Sequence, residues 1–260
     1  MKYPNLEKLV DIIAVLRSEN GCPWDREQTH KSLRPNMLEE AYEAVDAIDD
    51  DDILNLREEL GDVLLQVVLH AQIAKDNGEF DIEDVAKELS DKLIHRHPHV
   101  FGTEKVADAN EVLENWDKLK KEEKTYRKSI LDGISKSQSA LMSAQKISKK
   151  VVKVGFEWDS VESLKECIKS EYNEFEEAVL SGDKDKMEDE MGDIFFATVN
   201  LARWYKIDAE QALLHSNKKF TKRFKKMEEI KTKPFEEYSY DEFNELWKKA
   251  KIEIDKEEKL

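Results

Sequence analysis

The sequence predicts an all-α protein made of two tandem antiparallel helical bundles, on the basis of its composition, its periodicity and an internal repeat. Only 8 of its 260 residues are glycine and 5 are proline, while 38% are charged and 40% are hydrophobic. This balance is typical of amphipathic helices. No segment alternates polar and apolar residues as a half-buried strand does. Four acidic residues recur after 131 positions without a gap, which indicates an internal duplication.

The duplication divides the chain into two domains of ordinary size. We expect the first domain to span residues 1–128 and the second to span residues 129–260. The boundary falls in the segment from Tyr126 to Leu141, which contains Gly133. Each half is expected to contain two long helices that carry the acids, with further helices beside them. That number is sufficient for a small antiparallel bundle with a site between facing helices.

The first half contains five predicted helices. Apolar residues recur at helical spacing from Leu6 to Leu16, and the segment from Gly21 to Asp25 is expected to form a loop. Pro35 is tolerated only in the first turn of the second helix. The acidic run from Asp49 to Asp52 suits the start of the third helix, and Pro98 follows the fourth. The five helices are expected over residues 6–16, 33–48, 53–77, 82–95 and 110–124.

The second half repeats this plan. The segment from Gly155 to Asp159 corresponds to the loop of the first half, and Trp247 lies 131 residues after Trp116 of the fifth helix. The end of the chain, from Glu253 to Leu260, is charged and is expected to fray. Helices are expected over residues 161–180, 184–204, 208–230 and 240–253.

Composition excludes several classes of function. The formal net charge of −16 argues against binding to nucleic acid polymers, which requires a basic surface. Cys22 and Cys167 are too few for a disulfide framework and favour reduced thiols. No apolar run is long enough to span a membrane, and the N-terminal residues do not look like a signal peptide. We therefore expect a cytoplasmic protein without a membrane partner.

The repeated acids predict a metal site. Each half has two pairs of acids spaced three residues apart, so each pair shares one helix face. The pairs are Glu40 with Glu43 and Glu59 with Asp62 in the first half, and Glu171 with Glu174 and Glu190 with Asp193 in the second. Like charges at this spacing repel, and the neighbouring Gly61 and Gly192 suggest close approach by another backbone or a ligand. Four carboxylates are hard oxygen ligands, which suit Mg²⁺ or Mn²⁺.

The motifs around the acids resemble those of a known family. Glu39-Glu40-x-x-Glu43 followed by Glu59-x-x-Asp62 resembles the signature of the MazG family of nucleoside triphosphate pyrophosphohydrolases, in the all-α NTP pyrophosphatase superfamily. Residues 22–25, 59–62 and 96–101 are also similar to the first domain of tandem MazG proteins. The resemblance implies two MazG-like domains, a homodimer and Mg²⁺-dependent hydrolysis of an NTP to an NMP and diphosphate. The duplicated architecture favours broad NTP and dNTP specificity, and housecleaning of the nucleotide pool follows as a hypothesis.

The two halves match the family pattern unequally. In the second half Ser170 replaces the acid that the first half has at Glu39, but Lys186 adds a phosphate-binding cation where the first half has Asn55. A triphosphate needs such cations in an acidic protein. We therefore expect the second half to be the principal catalytic site. Its four acids would hold one or two ions that activate water for attack at phosphorus, and one acid would accept the proton.

Further substrate-binding residues follow from the family pattern. Lys219 and Arg223, which correspond to Lys92 and Arg96, are expected to bind phosphates, and arginine can offer two hydrogen bonds to one phosphate. Trp247 is expected either to stack on the base or ribose or to fill an edge of the core.

Other functions remain open. One alternative is a pyrophosphohydrolase for a single nucleotide, of the dUTP, dCTP or phosphoribosyl-ATP type. Another is a non-catalytic helical regulator that binds a metal ion or a nucleotide. A di-iron bundle would need Glu-x-x-His on its core helices, whereas the one match, Glu27-x-x-His30, lies in an expected loop. His95, His97 and His99 are expected to cap a helix.

Overall fold

The computed structural model describes residues 3–109, 111–112, 115–116, 119, 123 and 128–257. Within these residues all regular secondary structure is helical and no strand occurs, which confirms the all-α prediction. The chain divides into two compact units, Met1–Lys124 and Thr125–Leu260. The boundary expected between residues 128 and 129 stays a prediction. Most of the fifth predicted helix, residues 110–124, lies outside the described residues.

The first unit contains six described helices, and four of them match the predicted helices to within two residues. The six are α1 (Pro4–Arg17), α2 (Pro23–Glu27), α3 (Arg34–Asp49), α4 (Ile53–Asp76), α5 (Ile82–Arg96) and α6 (Pro98–Phe101).

The second unit contains five described α-helices and one short 3₁₀ helix. They are α7 (Ala140–Val152), α8 (Val161–Ser181), α9 (Lys184–Trp204), α10 (Ala209–Ile230), the 3₁₀ helix Phe235–Glu237, and α11 (Tyr240–Glu257). All four helices predicted for this half are present.

The first unit is organised around α4. The short turn after α3 returns the chain so that α3 and α4 pack side by side, and α1 packs against α4 as well. The core consists of apolar side chains from α1, α4 and the start of α3: Ile13, Leu33, Val68, Leu69 and Ile73. Burial of these side chains is the main source of the unit's stability. The acid-bearing segments of α3 and α4 are therefore held against each other.

The second unit repeats the helix pair that carries the acids. Helices α8 and α9 pack along each other, joined by a turn in which Gly182 has a left-handed φ of 72° that glycine adopts without strain. Helix α7 packs against α9 and α10, and α10 packs against α11. Met227, Leu246 and Ala250 form a core between α10 and α11.

Two expectations about the helices were wrong, and one helix was missed. The segment from Gly21 to Asp25 contains the start of α2 instead of a continuous loop, because the fixed φ of Pro23 suits a first helical turn. Helix α7 was not predicted and begins just before Leu141, at the end of the expected boundary segment. Helix α11 continues to Glu257 where fraying was expected from Glu253. Residues 258–260 lie outside the described residues.

The described helices are amphipathic, and none of them is long and apolar enough to cross a lipid bilayer.

Candidate metal and phosphate site

Two neighbouring helices of the second unit bring three carboxylates together. Helix α8 carries Glu171 and Glu174, helix α9 carries Glu190, and one oxygen from each carboxylate lies within 4.8 Å of the others. The spacing of three residues places the first two acids on one face of α8. Because α9 packs along α8, Glu190 faces them from the adjacent helix. The structure therefore brings together three of the four acids that were predicted for the second half.

The start of α9 sets the position of Glu190. The carboxylate of Asp183 accepts hydrogen bonds from backbone N–H groups of the first helical turn, which fixes the residue at which the helix begins. Glu190 follows this cap by seven residues, or about two turns. In the first unit Asp52 caps α4 in the same way, seven residues before Glu59. The repeat thus keeps the cap and the acid in one register.

The first unit contains the corresponding group of three carboxylates. Oxygens of Glu40, Glu43 and Glu59 also lie within 4.8 Å of one another. Asp62 and Asp193, the fourth predicted acid of each half, lie outside these groups of three. Both remain predicted ligands, and both are close enough to influence the titration of a neighbouring glutamate.

The electrostatics of both groups suit a cation. Partial desolvation, followed by the charges of Glu174 and Asp193, raises the pKa of Glu190. Desolvation followed by the charge of Asp62 likewise raises the pKa of Glu40. Carboxylates that repel in this way favour the binding of a positive charge among them. The donor set consists of oxygens, as a hard divalent ion requires, so the residues present fit such an ion.

Two further side chains of α8 contact the acids. The hydroxyl of Ser170, which replaces an acid of the family pattern, donates a 3.1 Å hydrogen bond to Oε1 of Glu174. The thiol of Cys167 donates to Oε1 of Glu171 at 3.4 Å. Desolvation, followed by this hydrogen bond, raises the pKa of the Cys167 thiol. The contact of Cys167 was not predicted, although its position one turn before Glu171 indicates it.

A cleft of about 390 Å³ lies beside the acids of the second unit. Lys186, Glu174 and Glu190 line it, so one cavity contains a predicted cation and two predicted acids. The other lining residues are Glu177, Ala178 and Ser181. They were not predicted, although Glu177 follows Glu174 by three residues and therefore lies on the same helix face.

The two mid-helix glycines have open surroundings. If a Cβ atom is added to Gly61 or Gly192, no heavy atom of the described residues lies within 4 Å of it, apart from the adjacent residues and the backbone of the same helix. Of the two alternatives expected, close approach by another backbone does not occur among the described residues. A ligand at these positions stays a prediction.

The predicted phosphate-binding residues of α10 lie beside an aromatic cluster. The guanidinium carbon of Arg223 is 5.6 Å from the ring centroid of Trp247, and the Phe220 ring is 5.1 Å from the same ring. Trp247 is half-buried and packs against the core of α10 and α11. Lys219 is exposed one turn before Arg223. The geometry agrees with the core-edge role of Trp247 and leaves stacking on a ligand as a prediction.

The first unit contains a similar pair with an added carboxylate. The guanidinium carbon of Arg96 is 5.6 Å from the ring centroid of Trp116. Nε of Arg96 donates a 2.9 Å hydrogen bond to Oε1 of Glu123, and Nη2 donates to Oε2. These hydrogen bonds raise the pKa of Arg96. Sequence reasoning missed Glu123 because no local pattern joins residues that are 27 positions apart.

The histidines have structural contacts. Nδ1 of His97 lies 2.7 Å from the carbonyl oxygen of Leu93, at the end of α5, as expected for a helix cap. The rings of His30 and His70 stack with their Nδ1 atoms 2.7 Å apart. Glu27 ends the short helix α2 and His30 follows in a turn, so the Glu-x-x-His match does not lie on a core helix.

Comparison with known proteins identifies relatives along nearly the whole chain. The MazG nucleotide pyrophosphohydrolase domain family matches residues 28–101 and 159–227. The nucleoside triphosphate pyrophosphohydrolase/pyrophosphatase MazG of Thermotoga maritima is 45% identical over 249 residues, covering 94% of this chain and 95% of the relative. The nucleoside triphosphate pyrophosphohydrolase of Escherichia coli K12 is 45% identical over 230 residues, covering 86% and 88%.

Among solved structures, a mazG-related protein from Thermotoga maritima is 32% identical to this chain, with a TM-score of 0.39. The match covers 44% of this chain and 98% of that protein.

Proposed function

The chain belongs to the MazG family of nucleotide pyrophosphohydrolases, and from this we infer that it is a hydrolase that converts a nucleoside triphosphate and water into a nucleoside monophosphate and diphosphate. We further propose that the reaction depends on Mg²⁺, with Mn²⁺ as a possible substitute, and that the principal site lies in the second unit. The substrates are proposed to include both NTPs and dNTPs. Removal of unwanted nucleotides would be the corresponding cellular task.

The convergence of carboxylates beside Lys186 carries this proposal. Oxygens of Glu171, Glu174 and Glu190 lie within 4.8 Å of one another, and Lys186 lines the same cleft as the last two. A triphosphate with a divalent ion needs oxygen ligands for the ion and cations for the phosphates. Both kinds of group are present within one cleft, which supports binding of the phosphate chain there.

Each residue of the site would have a role that follows from its chemistry. Glu171, Glu174, Glu190 and Asp193 would hold the divalent ion. That ion supplies positive charge to phosphate oxygens and lowers the pKa of water. One of the four acids would accept the proton of the attacking water. As the new oxygen–phosphorus bond forms, the bond between the α and β phosphates breaks, and Lys186 would bind the departing diphosphate.

Two contrasts between the units support the second as the principal site. Lys186 of the second unit corresponds to Asn55 in the first, so the helix that carries Glu59 lacks a cation at this position. Arg96 of the first unit is paired with Glu123, whereas no described carboxylate pairs with Arg223. An unpaired guanidinium can take two phosphate oxygens. We therefore propose that Lys219 and Arg223 bind phosphates and that Trp247 contacts the base or ribose.

A homodimer is proposed as the functional state. Phe195 on α9 is 58% exposed, and Leu180 at the end of α8 is 86% exposed. Exposed apolar side chains on the helices that carry the acids would be covered by a second copy of the bundle. Analytical ultracentrifugation would measure a mass of twice the 30.4 kDa of one chain. The cytoplasmic location stays a prediction.

Diphosphate release in the presence of Mg²⁺ tests the proposed function. We expect Glu174→Gln to lower the rate at least about tenfold, because it removes a ligand charge. Glu43→Gln in the first unit should leave most of the rate, and Glu176→Gln, on an exposed position of α8, is the matched control. An absence of diphosphate release by the wild type would favour the alternative of a non-catalytic regulator. Loss of release only in Glu43→Gln would overturn the choice of the second unit.

A panel of normal and damaged NTPs and dNTPs in the same assay tests the specificity. Comparable rates across the normal nucleotides are expected for a broad enzyme. Hydrolysis of one nucleotide alone would favour the single-substrate alternative of the dUTP, dCTP or phosphoribosyl-ATP type.

A further inference from the structure

Gln66 is a buried amide on the acid-bearing face of α4 in the first unit. It follows Glu59 by seven residues and Asp62 by four, and these spacings place the three side chains on one face of the helix. The residue is only 6% exposed. A buried amide group is costly unless its polar atoms have hydrogen-bond partners. The partners of Gln66 therefore indicate why a polar residue stands at this position.

One polar atom of this amide contacts an acid of the metal group. The side chain of Gln66 forms a hydrogen bond with the carboxylate of Glu40, across the packed pair of α3 and α4. An ionised carboxylate accepts hydrogen bonds and cannot donate them, so the amide nitrogen of Gln66 is the donor. The contact orients the Glu40 carboxylate within its group of three acids.

The other polar atom of the amide is unpaired. Oε1 of Gln66 is buried and accepts no hydrogen bond from any described residue. A buried acceptor without a donor lowers the stability of the fold. Because Oε1 and the amide nitrogen are bonded to the same carbon, Oε1 also lies beside the Glu40 carboxylate. A donor that is supplied at the metal site would satisfy it.

The second unit orients the corresponding acid in another way. The counterpart of Gln66 is Ala197, which is also buried but has no polar side chain. The acid that corresponds to Glu40 is Glu171, which accepts a hydrogen bond from the thiol of Cys167 on its own helix. The first unit has Asn36 at the position of that thiol. Both units thus supply a neutral donor to this acid, and the donor of the first unit brings an unpaired oxygen with it.

We propose that Gln66 is a positioning residue for the hydrated divalent ion of the first unit. Its amide nitrogen orients the Glu40 carboxylate, and its Oε1 accepts a hydrogen bond from a water molecule in the hydration shell of the ion. Mg²⁺ usually keeps several waters in a protein site. The proposal rests on the proposed function, specifically on ion binding by the group of Glu40, Glu43 and Glu59.

Titration with Mn²⁺, followed by electron paramagnetic resonance of the free ion, tests the proposal without turnover. The full chain carries Glu174→Gln, which weakens ion binding by the second unit, so the titration reports on the first. Gln66→Met removes both polar atoms at nearly constant length. Added to this background, it should weaken Mn²⁺ binding about tenfold or more, as the loss of a group that orients a metal ligand usually does.

Competition of Mg²⁺ and of Ca²⁺ with the bound Mn²⁺ distinguishes this role from a structural one. Mg²⁺ gives up its waters reluctantly, whereas Ca²⁺ accepts more protein oxygens in a flexible geometry. Gln66→Met should therefore weaken the binding of Mg²⁺ more than that of Ca²⁺. It should not lower the melting temperature of the ion-free protein, because it removes a buried oxygen that has no donor. Equal weakening of both ions would overturn the proposal.

Two controls separate the effect from a general change in α4 or in the chain. Gln72→Met is the same substitution six residues later on α4, where the side chain donates to Asp76, and it should leave the affinity for Mn²⁺ unchanged. In a Glu43→Gln background the titration reports on the second unit, and Gln66→Met should have no effect there.

The outcomes separate this proposal from the proposed function. An unchanged Mn²⁺ affinity in Gln66→Met, with diphosphate release by the wild type intact, would overturn this proposal alone. No Mn²⁺ binding and no diphosphate release by the wild type would overturn both. If Gln66→Met does not fold, Gln66→Ala takes its place, because the second unit has alanine at the corresponding position. The same losses are expected of it, and an unchanged affinity would again overturn the proposal.

Discussion

The hydroxyl of Ser148 on α7 donates a 2.6 Å hydrogen bond to Oδ1 of Asn200 on α9, and both side chains are buried. Nδ2 of Asn200 donates in turn to the carbonyl oxygen of Phe196, one helical turn earlier. This polar contact joins the helix that the sequence did not predict to the helix that carries Glu190. It fixes the register of α7 against the acid-bearing pair, because a buried polar group is costly without its partner.

We predict that Ser148→Ala lowers the free energy of unfolding by about 1–3 kcal/mol, since it leaves the amide oxygen of Asn200 buried without its donor. Ser143→Ala is the matched control on the same helix, because its hydroxyl has no hydrogen bond among the described residues, and it should change the free energy by less than about 0.5 kcal/mol. Urea denaturation measures both. Equal effects of the two substitutions would contradict the assigned role of the contact.

The helices that carry the acids could be predicted because local signals agree there. The starts of α4 and α9 were predicted without error, and in the structure the side chains of Asp52 and Asp183 cap these two helices. The offset of 131 residues then placed the acids of both units in one register. Local chemistry and the repeat both pointed to the same pair of helices, which explains the agreement with the structure.

The features that were missed depend on contacts distant in sequence. Helix α7 carries apolar residues at helical spacing, but it begins inside the expected boundary segment and its two buried residues, Gln145 and Ser148, are polar, so it was not predicted. Glu123 acquires its role only through Arg96, which is 27 positions away. The cleft residue Ser181 becomes part of the site only when α8 and α9 pack together. Such relationships require the three-dimensional structure.

A pH-dependent contribution to stability is expected from Glu242 in the first turn of α11. A hydrogen bond from Lys233, followed by those of Ser239, lowers the pKa of Glu242 from 4.5 to about 2. The folded state therefore favours the charged carboxylate more than the unfolded state does. This contribution is present above about pH 4.5 and is lost as the pH falls toward about 2.

Denaturation of the wild type and of Glu242→Gln at several pH values measures this contribution. The wild type should be the more stable protein near neutral pH, and the difference should shrink as the pH falls below about 4.5. When Lys233→Met is added to both proteins, the difference in their free energy of unfolding at neutral pH should become smaller. This is because the substitution removes the largest cause of the lowered pKa of Glu242. A difference that does not change with pH would contradict the prediction.

A test of metal binding without turnover follows from the repulsion around Glu190. In the absence of divalent ions, Glu190→Gln should raise the melting temperature, because it removes one of the charges that repel in the group of three. Addition of Mg²⁺ or Mn²⁺ should raise the melting temperature of the wild type, since the ion binds the folded state. The same ions should raise the melting temperature of Glu190→Gln much less. Glu188→Gln, at an exposed position of the same helix, is the control and should behave as the wild type does.

The affinity for phosphates should depend on Lys186. This residue lines the cleft with Glu174 and Glu190, and the corresponding Asn55 of the first unit has no charge. Lys186→Met keeps the length of the side chain and removes its charge, so we expect the KM for ATP to rise about tenfold, equivalent to about 1.4 kcal/mol.

The kcat should fall as well if Lys186 binds the departing diphosphate more tightly in the transition state than in the ground state. Lys184→Met, two residues earlier at an exposed position of α9, is the control and should leave KM within about twofold of the wild type. Steady-state kinetics of diphosphate release measures both constants. An unchanged KM and kcat in Lys186→Met would show that the phosphates do not use this cleft, and the assignment of the second unit would then depend on Arg223 alone.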